Sequence, residues 1–183
     1  ILPLPVTVTP DALSKTYGDI DQPLTYTLSS DISSLPTSGT LSRTDGEDVG
    51  TYAINLGTLS NPNYDFTLAP TDFTITPLSV TVTPNALSKT YGDIDPELTY
   101  SLSATSSTTL EVDGTLSRTV GENVGTYTIG LGTLSNTNYV FTLAEETFAI
   151  TQLPVTVTPA SLSKTYGASD PALTYSLSAT SST

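Results

Sequence analysis

Three short acidic stretches carry the side chains best suited to chemistry. Asp19 and Asp21 sit two residues apart in ALSKTYGDID (12–21), and Asp93 and Asp95 repeat them in the identical stretch at 86–95. A third, altered copy, SLSKTYGASD (161–170), keeps Asp170 and has Ala168 at the other position. Carboxylates spaced in this way are suitable Ca²⁺ ligands, so Asp19, Asp21, Asp93, Asp95 and Asp170 are the metal candidates. Only the second carboxylate persists in all three copies, and one is too few for a site without ligands from elsewhere. Gly followed by Asp is also turn chemistry: Gly takes a positive φ, and the Asp side chain bonds back to the backbone. The favoured reading is therefore a corner between two strands, with no obligatory metal and no cofactor. DGED (45–48) also resembles a cation loop, but its counterpart VGEN (120–123) loses two of the acids. A solvated hairpin turn followed by a bulge at Gly50 accounts for it better.

The cations recur as well. Lys15, Lys89 and Lys164 occupy equivalent positions, as do Arg43 and Arg118. Ion pairing with Glu47 or Asp21 is the plain expectation, worth little where exposed. A sharper one is an intramolecular Lys–Asn isopeptide bond, with Asn63 and Asn138 as partners and Glu47 and Glu122 as catalysts. The chain has neither His nor Cys, so the commonest bases, nucleophiles and metal ligands are missing. Carboxylate pairs of the glycosidase kind remain, yet an active site built in every copy from turn residues is improbable. The chain is not expected to be an enzyme.

What positions these residues is a repeat. Leu4, Leu78 and Leu153 open the phrases LPVTVTP, LSVTVTP and LPVTVTP, and GTLSR, VGTY and LGTLSN each recur 75 residues on. The first spacing is 74, so one residue was gained or lost in the serine-rich segment between Tyr26 and Gly39. The expected organisation is repeat one at 1–77, repeat two at 78–152, and the front of a third at 153–183, which stops at YSLSATSST, the match of 100–108. Self-similarity at this period marks a repeat architecture.

Apolar residues alternate at period two: Val6/Val8, Leu24/Tyr26/Leu28, Tyr52/Ile54/Leu56, Phe66/Leu68 and Phe73/Ile75, with equivalents in the second copy. Short alternating runs ending at Gly, Pro, Asn or Asp predict half-buried antiparallel strands, about six per repeat. The expected fold is all-β, in tandem small sandwich-like domains, with a β-grasp-like or strand-exchanged variant as the alternative. Every aromatic falls at a repeat-equivalent position, which suits a core; Tyr52 and Tyr127, opening the most regular strands, are expected in it. The joins FTITPLSVTVTP (73–84) and FAITQLPVTVTP (148–159) leave little slack between strands. The leading strands of each repeat are thus expected to pack on, or complete, the repeat before, with 155–177 stabilising repeat two and the array stiff.

Lys and Arg number 5 against 18 Asp and Glu, a net charge of −13. Nucleic acid and anionic membranes are poor partners for such a surface. No apolar run is long enough for a membrane-spanning helix; the expected partners are neighbouring repeats.

In order, TVTPxALSKTYGDxDPxLTY, GTLSRxxGExVGTY, LGTLSNxNYxFTL and FxITP resemble the MBG domain, a mostly β, glycine-rich repeat of the YGX type. Tyr17-Gly18, Tyr91-Gly92 and Tyr166-Gly167 carry the YG signature. In repeat one Pro23 follows Asp21 after an intervening Gln22, and not directly as at 95–96 and 170–171, which affects the local turn. The resemblance implies tandem domains of very large bacterial surface adhesins, exported by type I or two-partner routes. It also implies an extracellular extender role in biofilm or attachment, and no catalytic residues. The other reading is a binding module that presents exposed Tyr and Thr rows to a glycan or another adhesin.

Overall fold

The computed structural model describes residues 1–29, 37–105 and 109–179. Part of the serine-rich segment in which the two repeats differ in length, and the final residues of the third copy, fall outside them. All regular structure described is β, and among the described residues no helix is long and apolar enough to cross a membrane.

The first repeat contains β1 (Leu4–Pro10), β2 (Leu13–Thr16), β3 (Tyr26–Leu28), β4 (Ser42–Arg43), β5 (Gly50–Asn55), β6 (Tyr64–Leu68) and β7 (Asp72–Thr76). They form two sheets, ordered β3-β1-β6 and β2-β7-β5-β4. The alternation read from sequence holds: Val6, Val8 and Pro10 turn inward from β1, and Phe73 and Ile75 from β7. One core draws on both sheets, with Val8 from the first and Ile54, Phe73 and Ile75 from the second, closed by Leu41 and Leu59. This is a small sandwich.

Antiparallel pairs join β1 to β3 and β5 to both β4 and β7. Two parallel pairs join them: β1 with β6, Leu4 opposite Tyr64, and β2 with β7, Leu13 opposite Phe73. The reason is topological. The step from β1 to β2 and the step from β6 to β7 both pass from the first sheet to the second, so the two arms lie side by side. The long intervening chain supplies the crossover that parallel pairing requires.

The repeated stretch at 12–21 is half strand and half corner. Leu13–Thr16 is β2; the turn begins at Tyr17, where Gly18 has φ +86°. That extra strand raises the tally to seven per repeat, against about six expected. No bulge forms at Gly50: β5 faces β7 in unbroken register from Gly50–Ile75 to Ala53–Asp72.

The second repeat reproduces this order: β8 (Leu78–Pro84), β9 (Leu87–Thr90), β10 (Tyr100–Ala104), β11 (Ser117–Arg118), β12 (Gly125–Gly130), β13 (Tyr139–Leu143) and β14 (Thr147–Thr151). Its sheets are β10-β8-β13 and β11-β12-β14-β9. Val82, Leu116, Ile129, Leu134, Phe148 and Ile150 are buried in place of their first-repeat equivalents. Residues β15 (Val155–Pro159) and β16 (Tyr175–Ala179) form a two-stranded sheet of their own. Their leading strands were expected to complete the sheet of repeat two; instead β15 pairs with β16 alone, and every residue from 154 to 179 is exposed.

By internal contact the chain forms two compact units: Ile1–Thr81 with Leu102–Asp113 and Ser135–Thr142, and Val82–Ser101 with Gly114–Leu134 and Leu143–Thr183. The first unit therefore combines repeat one with part of repeat two.

Candidate functional site

The repeated charged residues converge. Lys15 projects from β2, Arg43 from β4, Asp21 from the corner and Glu47 from the turn before β5. Lys15 Nζ lies 2.7 Å from Asp21 Oδ1 and also pairs with Glu47. Arg43 forks onto Asp21, with Nε 2.6 Å from Oδ2 and Nη2 3.2 Å from Oδ1, and its Nη2 reaches Glu47 Oε1 at 2.5 Å. Its Nη1 donates to the carbonyls of Thr44 and Gly46 at 3.0 and 2.6 Å. The guanidinium carbon lies 5.0 Å from the centre of the Tyr52 ring and 5.1 Å from that of Phe73, within cation–π range.

The second unit repeats the cluster. Lys89 pairs with Asp95 at 2.6 Å and with Glu122; Arg118 forks onto Asp95 at 2.6 and 3.0 Å, and reaches Glu122 at 2.8 Å. It stacks on Tyr127 and Phe148 at 5.0 and 5.1 Å. The pairing of Lys and Arg with Asp21 and Glu47 is thus as the sequence suggested, but it is not a surface matter. The cations are sunk, with side chains of Lys15 and Arg43 only 5% and 8% exposed, while the carboxylates cap them from the solvent side. Buried cations are retained when paired and hydrogen-bonded.

Gly46 and Gly121 persist for a steric reason. Their φ values are +145° and +153°, and a Cβ on either would fall 2.3 Å from the Tyr52 or Tyr127 ring. Those two tyrosines are half-buried and were expected in the core. Instead they cover the arginine, and their hydroxyls donate to the carbonyls of Asp48 and Asn123, both at 2.6 Å. The rings at the bottom of the core are Phe73 and Phe148, 1% and 0% exposed.

Asp21 and Asp95 thus spend both oxygens on Lys and Arg, and a cation bound there would have to displace both. Asp170 pairs with Lys164. The Asp19 and Asp93 backbone amides donate to Thr16 and Thr90 at 3.0 Å, closing the turns. Among the described residues no group of three acidic side chains is arranged to hold a metal. The residues considered for a Lys–Asn crosslink are placed as follows. Lys15 and Lys89 face carboxylates, and the Asn138 amide is engaged elsewhere. The same surroundings favour the charged forms. The Arg118 fork holds Asp95 at about 2, and Asp21 and Glu122 are also below the usual carboxylate range. Burial pushes Lys15 down, but Asp21 and Glu47 together lift it above its ordinary value.

This ionisation pattern makes stability depend on acid. A carboxylate whose pKa is lower folded than unfolded adds stability above its unfolded pKa, and that contribution disappears as pH falls through the folded value. For Asp95 the window runs from about pH 4 to about pH 2. The unfolding midpoint is expected to hold from pH 7 to about 5 and to fall steeply below 4. In an Asp95→Asn, Asp21→Asn variant the low-pH fall should flatten; an unchanged profile would show that the clusters do not set acid stability.

A second constellation lies within the first unit, where repeat two meets repeat one. The Asn138 side chain, 7% exposed, accepts from the Val49 amide at 2.8 Å and donates to Asp48 Oδ1 at 2.9 Å. The Asn138 backbone carbonyl accepts from the Leu78 amide at 3.0 Å. Tyr139 meets Tyr17 edge to face at 5.8 Å, and Leu78 and Val80 close the cluster. Tyr17 of repeat one thus packs against Leu78 and Val80 of the leading strand of repeat two. Asn138→Ala would leave the half-buried Val49 amide without its acceptor and remove the bond to the exposed Asp48, and about 1–3 kcal/mol should be lost in chemical denaturation; a loss under 0.5 kcal/mol would mean water replaces the amide. Little in the local sequence marks Asn138, because Asn63 lies in the similar stretch NPNYDF (61–66), against NTNYVF (136–141), and is exposed. The only available signal was its recurrence beside a buried-type Tyr.

The profile of the MBG domain (YGX type) matches residues 6–74 and 80–149. The chain belongs to the MBG domain family, in two tandem copies. No curated protein matches, and no solved structure does. The family is a non-catalytic repeat domain associated with secreted repeat surface proteins.

Proposed function

We propose that the chain is an extender segment of a large repetitive bacterial cell-surface adhesin, with the role of holding a binding tip away from the cell. The observation that carries this reading is the Asn138–Asp48–Val49 and Tyr139–Tyr17 contact. It ties two successive repeats through buried polar and aromatic groups, which an extender needs and a set of independent binders does not. The aromatics support it. In the two complete repeats four of the twelve rings are buried and seven half-buried, leaving Tyr91 exposed, so within these repeats the described rings form no exposed row. The charged clusters are internally neutralised and serve the fold.

The test is a reach assay. One, two or three copies of 1–152 are placed between a cell-surface anchor and an epitope, beneath a polymer brush of fixed thickness. Antibody capture should rise with copy number, and the segment alone should bind nothing on a glycan array. Saturable glycan binding by the segment, lost on Tyr91→Ala with the fold intact, would replace the extender by the binding module.

A further inference from the structure

We infer that the domain that opens cooperatively in this chain is offset from the sequence repeat: repeat one opens together with 78–81, 102–113 and 135–142 of repeat two, ahead of β12 and β14. The strand β8 gives the reason. It buries one face along its whole length, at Leu78, Val80, Val82 and Pro84, but that face has two covers. Pro77 alone separates β8 from β7, so its first half lies against the end of repeat one. There Leu78 and Val80 form a cluster with Tyr139, and Tyr17 of repeat one packs on it. Val82 is the counterpart of Val8, which packs with Ile54, Phe73 and Ile75, and it therefore belongs with Ile129, Phe148 and Ile150. The division into compact units falls inside this strand, between Thr81 and Val82.

The first half of β8 carries two further segments of repeat two with it. Leu110 and Val112 pack on the same cluster. The Glu111 amide donates to the Tyr139 hydroxyl at 3.4 Å, and the Glu111 carbonyl accepts from the Asn136 side chain at 2.9 Å. Asn136 Oδ1 accepts from the Asn138 amide at 2.8 Å, and the Asn138 side chain reaches Val49 and Asp48. Among the described residues of this cluster none comes from β11, β12 or β14. Its contacts therefore run from repeat two back into repeat one. Segments that bury one another's apolar side chains and satisfy one another's buried polar groups open as one, since opening either exposes both. Where neighbouring repeats share such an interface, it is part of the stability of each. A disturbance at Tyr139 should reach repeat one, across the sequence boundary, before it reaches the second sheet of its own repeat.

Hydrogen–deuterium exchange of the full chain carrying Tyr139→Ala, read by mass spectrometry, tests this. In peptides covering 13–20 and 47–53 of repeat one, exchange should accelerate about tenfold or more; in those covering 125–130 and 147–151 it should change by less than about threefold. The reciprocal Tyr17→Ala, in repeat one, should accelerate 78–81 and 135–142 in the same way. Val120→Ser, at a residue 97% exposed, should change neither set. If Tyr139→Ala unfolds the chain outright, Tyr139→Leu, which keeps an apolar side chain at the site, is compared over the same two sets. Equal or greater acceleration at 125–130 and 147–151 would make the sequence repeat the cooperative unit and overturn the proposal. Acceleration confined to the segment that holds the substitution would overturn it too, by making the junction a passive contact. The proposal rests on the junction and not on the extender reading, so the exchange measurement and the reach assay can fail separately.

Discussion

Phe148→Ala should cost about 3–5 kcal/mol of stability, the range for aromatic truncation in a packed core. The ring is 0% exposed, lies on the middle strand pair of its sheet opposite Tyr127, and has the Arg118 guanidinium 5.1 Å from its centre. Truncation opens a void and also removes one of the two faces against which the cation is held. The loss is to be read by urea denaturation. Tyr127→Ala should cost distinctly less, since that ring is half-buried and its hydroxyl bonds a single carbonyl. Equal losses for the two would mean that the tyrosine is the core ring after all.

Arg118→Ala comes next, at roughly 2–4 kcal/mol. Breaking a fully buried pair typically costs about 3–5 kcal/mol; here the carboxylates are partly in water, with Asp95 41% and Glu122 67% exposed, which softens the loss. The variant leaves the Thr119 and Gly121 carbonyls without their donor and Lys89 alone to balance two acids. Arg118→Lys should recover little, because an ammonium cannot fork onto Asp95 while also meeting two carbonyls. A loss under 1 kcal/mol for Arg118→Ala, or near-complete rescue by Lys, would make the cluster incidental.

How far these features could be read from sequence depends on their range. Strands such as Val6–Val8 and Phe73–Ile75 announce themselves because one face of each is buried and the period is local. The parallel pairing of β1 with β6 left no mark, since strands alternate identically in either direction. The acid–base partners were legible as types, because Lys15, Asp21, Arg43 and Glu47 recur as a set. Their burial was not, because it comes from Tyr52 folding back over Gly46 to cover the guanidinium. Asn138 was least visible: its role depends on Asp48, ninety residues earlier, and its twin Asn63 is exposed. Tyr17 and Tyr91 make the same point, two identical decapeptides with one ring half-covered and the other open.

The parallel terminal strands have a mechanical consequence. The chain enters a repeat through β1 and leaves it through β7, and β7 lies parallel to β2, from Leu13–Phe73 to Thr16–Thr76. Tension on the two ends draws β7 forward along its own axis while β2 is held back through β1. The rungs of that ladder then bear the pull side by side, in shear, and must give way together. An antiparallel hairpin pulled from its open end would instead peel one rung at a time. A domain wired in this manner is strongest along the direction in which a tethered, flow-stressed polypeptide is pulled.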